Sequence, residues 1–519
     1  MKTETVVNEC KEKRKRFQPN KKNNTRNNES FEKIPVYVAA LAYMGFYILL
    51  FLGYLNQFLF PPKVAEEKNR EGYPPLYAKF EQFYLNYVFR RIRDGWERPI
   101  ASVPADEIII KDRVTCDNGW TFQFTGNETK YLNLGSYNYL GFAQSTGPCA
   151  YTSVEALVKY GCATASTVKE LGTTPIHVQL EKLTARFLGV ESAIIFGMGF
   201  ATNALNISSI IYPGCLVISD EKNHASLILG LKLSGALIRV YNHNDMKSLE
   251  NKLIEGIEKG QPGTNKSWDK IFIVTEGIFS MEGSIVKLPS VLALKNKYKA
   301  YLYLDEAHSI GALGHRGRGV VDYFGCNPKD VDILMGTFTK SFGSAGGYIA
   351  GCKSLIDHLR FNSDAVYYAA SMPPPVVQQI LTSMTIIMGE DGTNDGSRRI
   401  RRLARNTQYF RKRLHEMGCV VYGHDNSPVV PMLVYMYSKV TAVVRAYTKH
   451  NIATVGVGFP ATPFLECRIR FCLSAAHSMK QLRRILDVTE KIADEYGLRY
   501  SRKINRSLTE YETEDNDSK

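Results

Sequence analysis

The sequence predicts an α/β fold, in which helices cover both faces of a mainly parallel β-sheet and a smaller α+β domain follows. The first observation is that helical apolar patterns alternate with short apolar strands between residues 151 and 375. The second is that long amphipathic helices and two further apolar strands come after Pro373-Pro374-Pro375. The strands are expected at 193–196, 216–219, 237–240, 271–274, 300–304, 331–335, 429–434 and 468–473. Short runs with this continuous apolar character are typical of sheets that are buried on both faces.

A third observation is an uncharged, apolar segment at residues 36–55. A stretch of about 20 apolar residues matches the hydrocarbon thickness of a bilayer, so we predict a membrane-embedded helix. A cleaved signal peptide is disfavoured because no small-residue cleavage site follows, and the alternative is a buried core helix. The basic N-terminus prefers the cytosol, which would send the rest of a spanning chain to the lumen. Whether the segment spans, re-enters or lies on the bilayer therefore stays open.

Composition narrows the function classes. The chain has 519 residues and a formal net charge of +14, but it carries no helix-turn-helix, zinc-finger or RNA-binding signature. A basic surface suits anionic lipid or the phosphates of coenzyme A instead. The ten cysteines are scattered and lack metal-ligand spacing, which predicts free thiols and no metal site.

Two residues at predicted strand ends carry the chemistry. Asp305 follows the strand at 300–304, and Lys340 comes shortly after the strand at 331–335. Open α/β sheets build their sites where strands end, so both side chains are expected in one crevice. A partly desolvated lysine has a lowered pKa and forms Schiff bases, and an aspartate there suits the protonated ring nitrogen of pyridoxal phosphate. Taken singly, either residue is more often a solvated lysine or a capping aspartate.

Around these residues the motifs resemble a known family. Asp305-Glu306-Ala307-His308, and the run from Gly336 to Gly343 followed by Gly346-Gly347-Tyr348, are similar to the α-oxoamine synthase family of fold-type I pyridoxal phosphate transferases. The resemblance covers about 120–502. It implies the cofactor pyridoxal 5'-phosphate and a seven-stranded type of large-domain sheet.

The resemblance also assigns roles to individual residues. It implies catalytic roles for Lys340, Asp305 and His224, with His224 stacking on the cofactor ring. The implied cofactor-binding set is Lys340, Asp305, His308, His224, Gly199, Phe200, Ser280 and Thr337, where Gly199 and Phe200 contribute phosphate-binding amides. Arg470 is expected to bind the substrate carboxylate with help from Asn138, whereas Arg468, two residues earlier, is expected to face the opposite way.

The function implied is the decarboxylative condensation of L-serine with palmitoyl-CoA to 3-oxosphinganine, CO₂ and CoA, the first step of sphingolipid synthesis. The implied partners are a homologous subunit that lacks the lysine, small membrane regulatory subunits and membrane lipid, with no nucleic acid. The implied location is the endoplasmic reticulum membrane, with the catalytic body in the cytosol. The alternatives are a related synthase that uses glycine or another acyl-CoA, and a non-catalytic membrane scaffold.

The predicted organisation has seven segments, of which two are polar ends. These are a disordered basic N-terminus (1–34), a membrane-embedded helix (35–60), an interfacial or connecting helix (61–104), an N-terminal catalytic segment (105–150), a large cofactor-binding domain (151–384), a small C-terminal domain (385–502) and a polar tail (503–519). One position departs from the family: Val168 stands where relatives usually carry an arginine near the dimer contact.

Overall fold

The structure, a computed structural model, describes residues 29–60, 71–74, 79–117, 119–459 and 461–502. The expected polar ends before residue 29 and after residue 502 lie outside these residues. Within the predicted disordered segment 1–34, the last part is ordered: Glu29–Ser30 (β1) pairs antiparallel with residues 423–424. The Glu29 carboxylate accepts a hydrogen bond from the Ile285 N–H, and Phe31 packs edge-on against Tyr422. These contacts correct the predicted boundary at residue 34.

The apolar segment forms one long helix. Helix α1, Val36–Leu59, extends the predicted stretch by four residues and contains no charged side chain. Within the described residues, it is the one helix long and apolar enough to cross a membrane. A second helix, α2 (Lys79–Tyr87), leads into a 3-10 turn at Phe89–Gly95. Tyr77 of the predicted aromatic stripe lies outside the described residues.

An antiparallel hairpin precedes the main sheet. Its strands are β2 (Glu107–Val114) and β3 (Gln123–Asn133), and they pair with a register shift near Lys111. The hairpin buries Ile108 and Ile110 on one face. The chain then enters the large domain at residue 148.

The central sheet has seven strands in the spatial order β4-β10-β9-β8-β7-β5-β6, and only β10 runs antiparallel to its neighbours. The strands are β4 (Ser192–Phe196), β5 (Cys215–Asp220), β6 (Leu237–Tyr241), β7 (Lys270–Glu276), β8 (Tyr301–Asp305), β9 (Ile333–Thr337) and β10 (Gly347–Gly351). The helices are α3 (Pro148–Tyr160), α4 (Pro175–Leu188), α5 (Gly199–Ala204), α6 (Ile207–Ile210), α7 (Ala225–Leu233), α8 (Met246–Lys259), α9 (Leu288–Tyr298), α10 (Gly319–Tyr323), α11 (Lys353–Asn362), α12 (Asp364–Tyr368) and α13 (Pro374–Met388). Separate buried clusters cover the two faces of the sheet, which confirms the predicted α/β class.

The C-terminal part is an α+β unit, as predicted. Its helices are α14 (Asp395–Glu416), α15 (Tyr437–Lys449) and α16 (Met479–Tyr496), and its strands are β11 (Gly423–His424), β12 (Val429–Tyr435), β13 (Ile452–Ala453), β14 (Val455–Val457) and β15 (Cys467–Cys472). Strands β12, β15 and β14 form an antiparallel sheet, whereas β13 joins the β2–β3 hairpin. A 3-10 turn at Phe464–Glu466 precedes β15.

Two predicted segment boundaries fall inside helices. The boundary at 150/151 lies within α3, and that at 384/385 lies within α13. Helix α13 packs against α3 and α4, so the large domain keeps it up to Gly389, where the backbone turns left-handed and the helix ends. The run Pro373-Pro374-Pro375 begins a helix of the large domain, so the small domain starts after this helix.

The sheet positions the lysine-bearing loop through close backbone packing. Strands β8 and β9 are parallel neighbours that end at Asp305 and Thr337, so the loop after β9 starts beside Asp305. The loop turns at Gly343, whose φ is +63°, and a Cβ there would lie 2.5 Å from the Ala143 nitrogen. Only glycine combines this backbone conformation with such a close approach.

We expect Gly343→Ala to lower the melting temperature of the purified protein substantially, because the methyl group collides with backbone atoms of 142–143. The matched control is Gly392→Ala, since Gly392 also has a positive φ (+78°) but open space around its Cβ position. The control variant measures only the cost of a left-handed backbone at a residue other than glycine, which is about 1–2 kcal/mol. Equal thermal shifts in the two variants, measured by differential scanning fluorimetry, would contradict the close packing of the loop.

Candidate active site

A cavity of about 250 Å³ opens at the carboxyl ends of the central strands. Its lining includes seven of the site residues predicted from the sequence. The lining residues are Met198, Gly199, Phe200, Asn203, His224, Ser226, Glu276, Asp305, Ala307, His308, Met335, Thr337, Thr339 and Lys340. Among the described residues, no group of three or more His, Cys, Asp or Glu side chains is placed to hold a metal ion.

Asp305 is held as a buried hydrogen-bond acceptor. Its Oδ2 accepts from Asn203 Nδ2 at 2.8 Å, and its Oδ1 accepts from the Ala307 N–H at 2.8 Å. The Asn203 side chain is oriented in turn by the hydroxyl of Tyr303, which donates to Asn203 Oδ1. These hydrogen bonds fix the position of the Asp305 side chain in the buried site.

Lys340 extends from the loop after β9 into the same cavity. Its Nζ donates to Thr337 Oγ1 at 3.1 Å and lies 6.0 Å from the centre of the Tyr137 ring. Burial lowers the pKa of Lys340 from its ordinary value of 10.5, while the negative charge of Asp305 opposes the shift. The structure therefore places a buried amine in the same cavity as a carboxylate, which is the arrangement expected from the sequence.

His224 is the N-cap residue of α7 and lines the cavity. Its Nδ1 accepts from the Ser226 N–H at 3.2 Å, so the ring proton lies on Nε2. Burial lowers the pKa of His224, which keeps the imidazole neutral. A neutral, fixed ring at this place can stack on a planar ligand.

Glu276 was not predicted from the sequence as a site residue. It ends β7 directly beside Asp305 in the sheet register, and its Oε1 accepts from the His224 N–H. Burial and the nearby Asp305 raise the pKa of Glu276 well above 4.5. Glu276 thus fixes the backbone of His224 from within the cavity.

His308 lines the cavity and contacts two tyrosines. The Tyr139 hydroxyl lies 2.8 Å from His308 Nδ1, and the Tyr137 ring meets the His308 ring edge-on. Burial and the positive charge of Lys340 hold the pKa of His308 well below 6.5, so His308 is neutral.

Gly199 and Phe200 form the start of α5 and border the cavity, as expected. A Cβ on Gly199 would approach Thr337 Cγ2 to 3.0 Å, so the glycine permits close packing of the two loops. Ser280 is buried on the loop after β7 but does not line this cavity. The structure therefore brings together all predicted cofactor-site residues except Ser280.

Arg470 lies beside this group on β15. Its guanidinium carbon is 4.8 Å from the centre of the Tyr137 ring, and its Nη1 is 3.5 Å from Met281 Sδ. The buried Nε finds no hydrogen-bond partner among the described residues. A buried cationic donor without a partner is the group that a substrate carboxylate would satisfy.

The orientation predicted for Arg468 is wrong. Alternate residues of a strand point to the same face, so Arg468 and Arg470 share one side of β15. Arg468 is fully buried there: its Nη1 donates to the Met281 carbonyl at 2.8 Å, and its Nη2 pairs with Glu466. Arg468 thus braces the loop whose methionine contacts Arg470.

Asn138 has a different contact set from the one expected. Its Nδ2 donates to the Pro104 and Ala143 carbonyls, and its Oδ1 accepts from the Ala143 N–H. Both ends of the amide are committed to neighbouring backbone, so the geometry does not support direct help to Arg470. Asn138 instead stabilises the loop that carries Tyr137 and Tyr139.

Val168 is half-buried and packs against the core cluster that contains Val366. The adjacent Thr167 bridges to Ala370, and Ser371 donates to the Gly172 carbonyl. An apolar side chain at position 168 therefore stabilises this loop by packing.

The residues missed from the sequence were Asn203, Ser226, Glu276, Tyr137 and Tyr139. Asn203 is one helical turn past Gly199, and Glu276 comes two residues after the strand predicted at 271–274, so the spacing did contain a signal for both. The two tyrosines gave none, because loop residues are placed by tertiary contacts.

Comparison with known proteins agrees with this site. Residues 129–488 match the family model described as aminotransferase class I and II. The chain is 50% identical to serine palmitoyltransferase 3 of Homo sapiens over 91% of this chain and 87% of that protein. It is 51% identical to serine palmitoyltransferase 2 of Caenorhabditis elegans over 91% and 84% of the two chains.

The solved structures agree with the sequence relatives. The structure of Sphingomonas wittichii serine palmitoyltransferase superposes with a TM-score of 0.71 at 27% identity, covering 82% of this chain and 99% of the other. A high-resolution structure of serine palmitoyltransferase with its pyridoxal phosphate gives a TM-score of 0.70 at 25% identity, covering 81% and 100%. Relatives numbered 2 and 3 match this chain about equally well. The chain belongs to the serine palmitoyltransferase family, within the aminotransferase class I and II proteins.

Proposed function

We propose that this chain is a pyridoxal phosphate-dependent enzyme that condenses L-serine with palmitoyl-CoA to 3-oxosphinganine, releasing CO₂ and CoA. The reaction is the first step of sphingolipid synthesis. The observation that carries the proposal is the Lys340 amine, whose pKa is lowered by burial, in one cavity with Asp305 and His224. The family membership supports the same reaction.

The residues present fit pyridoxal phosphate. Lys340 would hold the cofactor, Asp305 would face its ring nitrogen, and His224 would cover the ring. The amides of Gly199 and Phe200, with the Thr337 hydroxyl, would surround the phosphate. When bound, the cofactor supplies an electron sink that stabilises negative charge on the substrate Cα.

The chain's own groups then bind the substrate and move its proton. Arg470, whose buried Nε has no other partner among the described residues, would hold the serine carboxylate. Lys340 Nζ would remove the Cα proton, since its lowered pKa makes the neutral amine more available. Asn203 and the Ala307 amide keep Asp305 in place during this transfer.

A second cavity suits the acyl chain. It has a volume of about 750 Å³ and an almost wholly apolar wall that includes Phe80, Leu85, Phe89, Trp96 and Val457. Met281 also lines this cavity and contacts Arg470, so it separates the apolar space from the substrate-carboxylate position. An apolar cavity that shares Met281 with the substrate-carboxylate position suits the chain of a long-chain thioester.

The surface around the mouth supports a homologous partner subunit. Met198 lines the active-site cavity and is 62% exposed, while Leu171 and Tyr368 are more than 80% exposed. The backbone segments that carry them are neighbours, because a Cβ on Gly197 would be 3.4 Å from the Ala370 carbonyl, and Ala370 bridges to Thr167. Large exposed apolar side chains around a site are typical of an interface.

We further propose membrane association through α1, at the endoplasmic reticulum with the catalytic body in the cytosol. The apolar length of α1 and the membrane-soluble product support this location. The exposed apolar side chains of α1 would also provide a binding surface for small membrane subunits.

The first test is the absorption spectrum of the detergent-purified protein co-expressed with its homologous subunit. We expect the wild type to retain pyridoxal phosphate, with a visible band that changes when L-serine is added. Lys340→Ala should lose the band and reduce condensation with palmitoyl-CoA by at least about a thousandfold, because covalent attachment and proton transfer both fail.

Lys353→Ala is the matched control, since Lys353 is exposed and pairs only with Asp357 among the described residues. Its spectrum and activity should equal those of the wild type. A wild-type protein that stays colourless with added cofactor would favour a non-catalytic scaffold, whereas a response to glycine instead of serine would favour a related synthase.

A second test concerns the protonation of Lys340 in the cofactor-free protein. The rate of Lys340 acetylation by acetic anhydride, followed by mass spectrometry, should rise with pH around a midpoint below 10.5, because only the neutral amine reacts. Asp305 raises the pKa of Lys340, so Asp305→Asn should move the midpoint to still lower pH. A midpoint that moves upward would contradict the proposed charge coupling.

A third test addresses chain length. Ala461 lines the apolar cavity, so Ala461→Trp should shorten the preferred acyl chain by filling part of its volume. The measurement is the ratio of kcat/KM for palmitoyl-CoA and lauroyl-CoA, and Ala461→Ser serves as the small control. An unchanged ratio, in a variant that binds serine as the wild type does, would show that this cavity does not hold the acyl chain.

A further inference from the structure

A group of four arginines on α14 lies outside the active site. Arg398, Arg401, Arg402 and Arg405 recur every three or four residues, which places them on one face of the helix. Among the described residues, these four alone line a surface pocket of about 530 Å³. Arg398, Arg401 and Arg405 are exposed, and Arg402 is half-buried. We call this set the arginine cluster.

Neighbouring side chains balance little of the charge of the arginine cluster. Asp395 pairs with Arg398 at 2.7 Å, but it is shared with a second arginine beside the cluster. Among the described residues, Arg401 and Arg405 form no ion pair. The next acidic residue of α14 is Glu416, at the other end of the helix. A solvated basic helix usually carries acidic residues three or four positions from its basic ones, and this face of α14 does not.

The placement of the arginine cluster works against the stability of α14. Like charges three or four residues apart repel one another, and the cluster contains four such pairs. Arg398 also lies in the first turn of α14, at the end where the helix dipole favours negative charge. A local arrangement that opposes the stability of its own helix is typical of a functional site.

Backbone contacts fix the part of α14 that carries the arginine cluster. Arg399 Nη1 donates to the Leu140 carbonyl at 2.8 Å, and Arg402 Nη2 donates to the His477 carbonyl at 3.2 Å. Asn406 Nδ2 donates to the same His477 carbonyl at 2.9 Å. These contacts hold the helix against two loops of the body. The arginines are therefore presented at a set spacing, which lowers the entropic cost of binding a ligand.

Phosphate groups are the ligands that fit the arginine cluster. A guanidinium can bind a phosphate through two parallel hydrogen bonds. The cluster extends about 10 Å along the axis of α14, from Arg398 to Arg405. A phosphate group carries about 1.5 to 2 negative charges near pH 7, so two or three phosphates within this length would balance the four arginines. A carboxylate carries one charge, so an acidic peptide would need about twice as many groups in the same space.

We propose that the arginine cluster is a binding site for a compound with two or more neighbouring phosphate groups, either free in solution or as the headgroup of a phosphorylated lipid. The site shares no lining residue with the active-site cavity. A nucleic acid fits less well, because the described lining of the pocket has no aromatic side chain on which bases could stack. The proposal goes beyond the enzymatic function and does not depend on it.

The test is the binding of inositol 1,4,5-trisphosphate to the full chain, purified in non-ionic detergent together with its homologous subunit. We expect saturable binding by isothermal titration calorimetry in a buffer that contains sulfate. The double variant Arg401→Gln/Arg405→Gln should raise the dissociation constant at least about tenfold, because it removes half of the guanidinium groups. The matched control is Lys480→Gln/Arg483→Gln, which removes two exposed basic side chains from α16 and should bind as the wild type does.

A second titration distinguishes the two sources of the phosphate groups. It uses phosphatidylinositol 4,5-bisphosphate in mixed micelles of the same detergent. Equal affinities for the trisphosphate and the lipid would support a free ligand, whereas a higher affinity for the lipid would support a headgroup. In both cases the Arg401→Gln/Arg405→Gln variant should lose the binding. Equal binding to micelles that carry the same charge as phosphatidylserine would overturn the proposal, because the attraction would then be unspecific.

The melting temperature of the ligand-free protein gives an independent measurement. The Arg401→Gln/Arg405→Gln variant should melt at or above the wild-type temperature, because the substitutions remove repulsion within α14. A lower melting temperature would assign both arginines to the stability of the helix and would overturn the proposal. A raised KM for palmitoyl-CoA in this variant would also overturn it, because the arginines would then belong to the coenzyme A site.

Three binding results would equally overturn the proposal. These are no binding of either phosphate compound, the same loss of affinity in the α16 control, and tighter binding of single-stranded RNA than of the trisphosphate by the same arginines. A colourless, inactive protein that still binds the trisphosphate through the arginine cluster would contradict the enzymatic proposal alone.

Discussion

The active site depends on one constraint: each charged side chain in the buried cavity needs a hydrogen-bond donor or an opposite charge close to it. Asp305 is 3% exposed, and its carboxylate oxygens accept hydrogen bonds from Asn203 and from the Ala307 amide. Its charge in turn opposes the desolvation of Lys340. The neutral states of His224 and His308 follow from the same burial.

The order and direction of the central strands bring these groups together. Parallel neighbours β8 and β9 end at the same edge, so Asp305 and the Thr337 to Lys340 segment meet there. This is why the fold class, the central strands and the Lys340–Asp305 pair could be predicted from the sequence alone. Each depends on local apolar runs and on where they stop, and both signals are short-range.

The features that could not be predicted depend on long-range packing. Asn138 was expected at the substrate, yet its amide is used by Pro104 and Ala143, and only the tertiary fold determines such a choice. The boundary inside α13 failed because a helix belongs to the domain on which it packs. The error for Arg468 was of another kind, since strand periodicity already places it on the same face as Arg470.

The apolar cavity is bounded by the substrate-carboxylate position on one side and by α2 on the other. Met281, which lines the cavity, contacts Arg470. Phe80 and Leu85 of α2 also line the cavity, while Phe83 of the same helix packs against α1. Helix α2 therefore separates the cavity from α1, which carries no charged side chain over its whole length. The acyl-chain cavity that we propose would thus lie one helix away from the surface through which we propose that the protein meets the membrane.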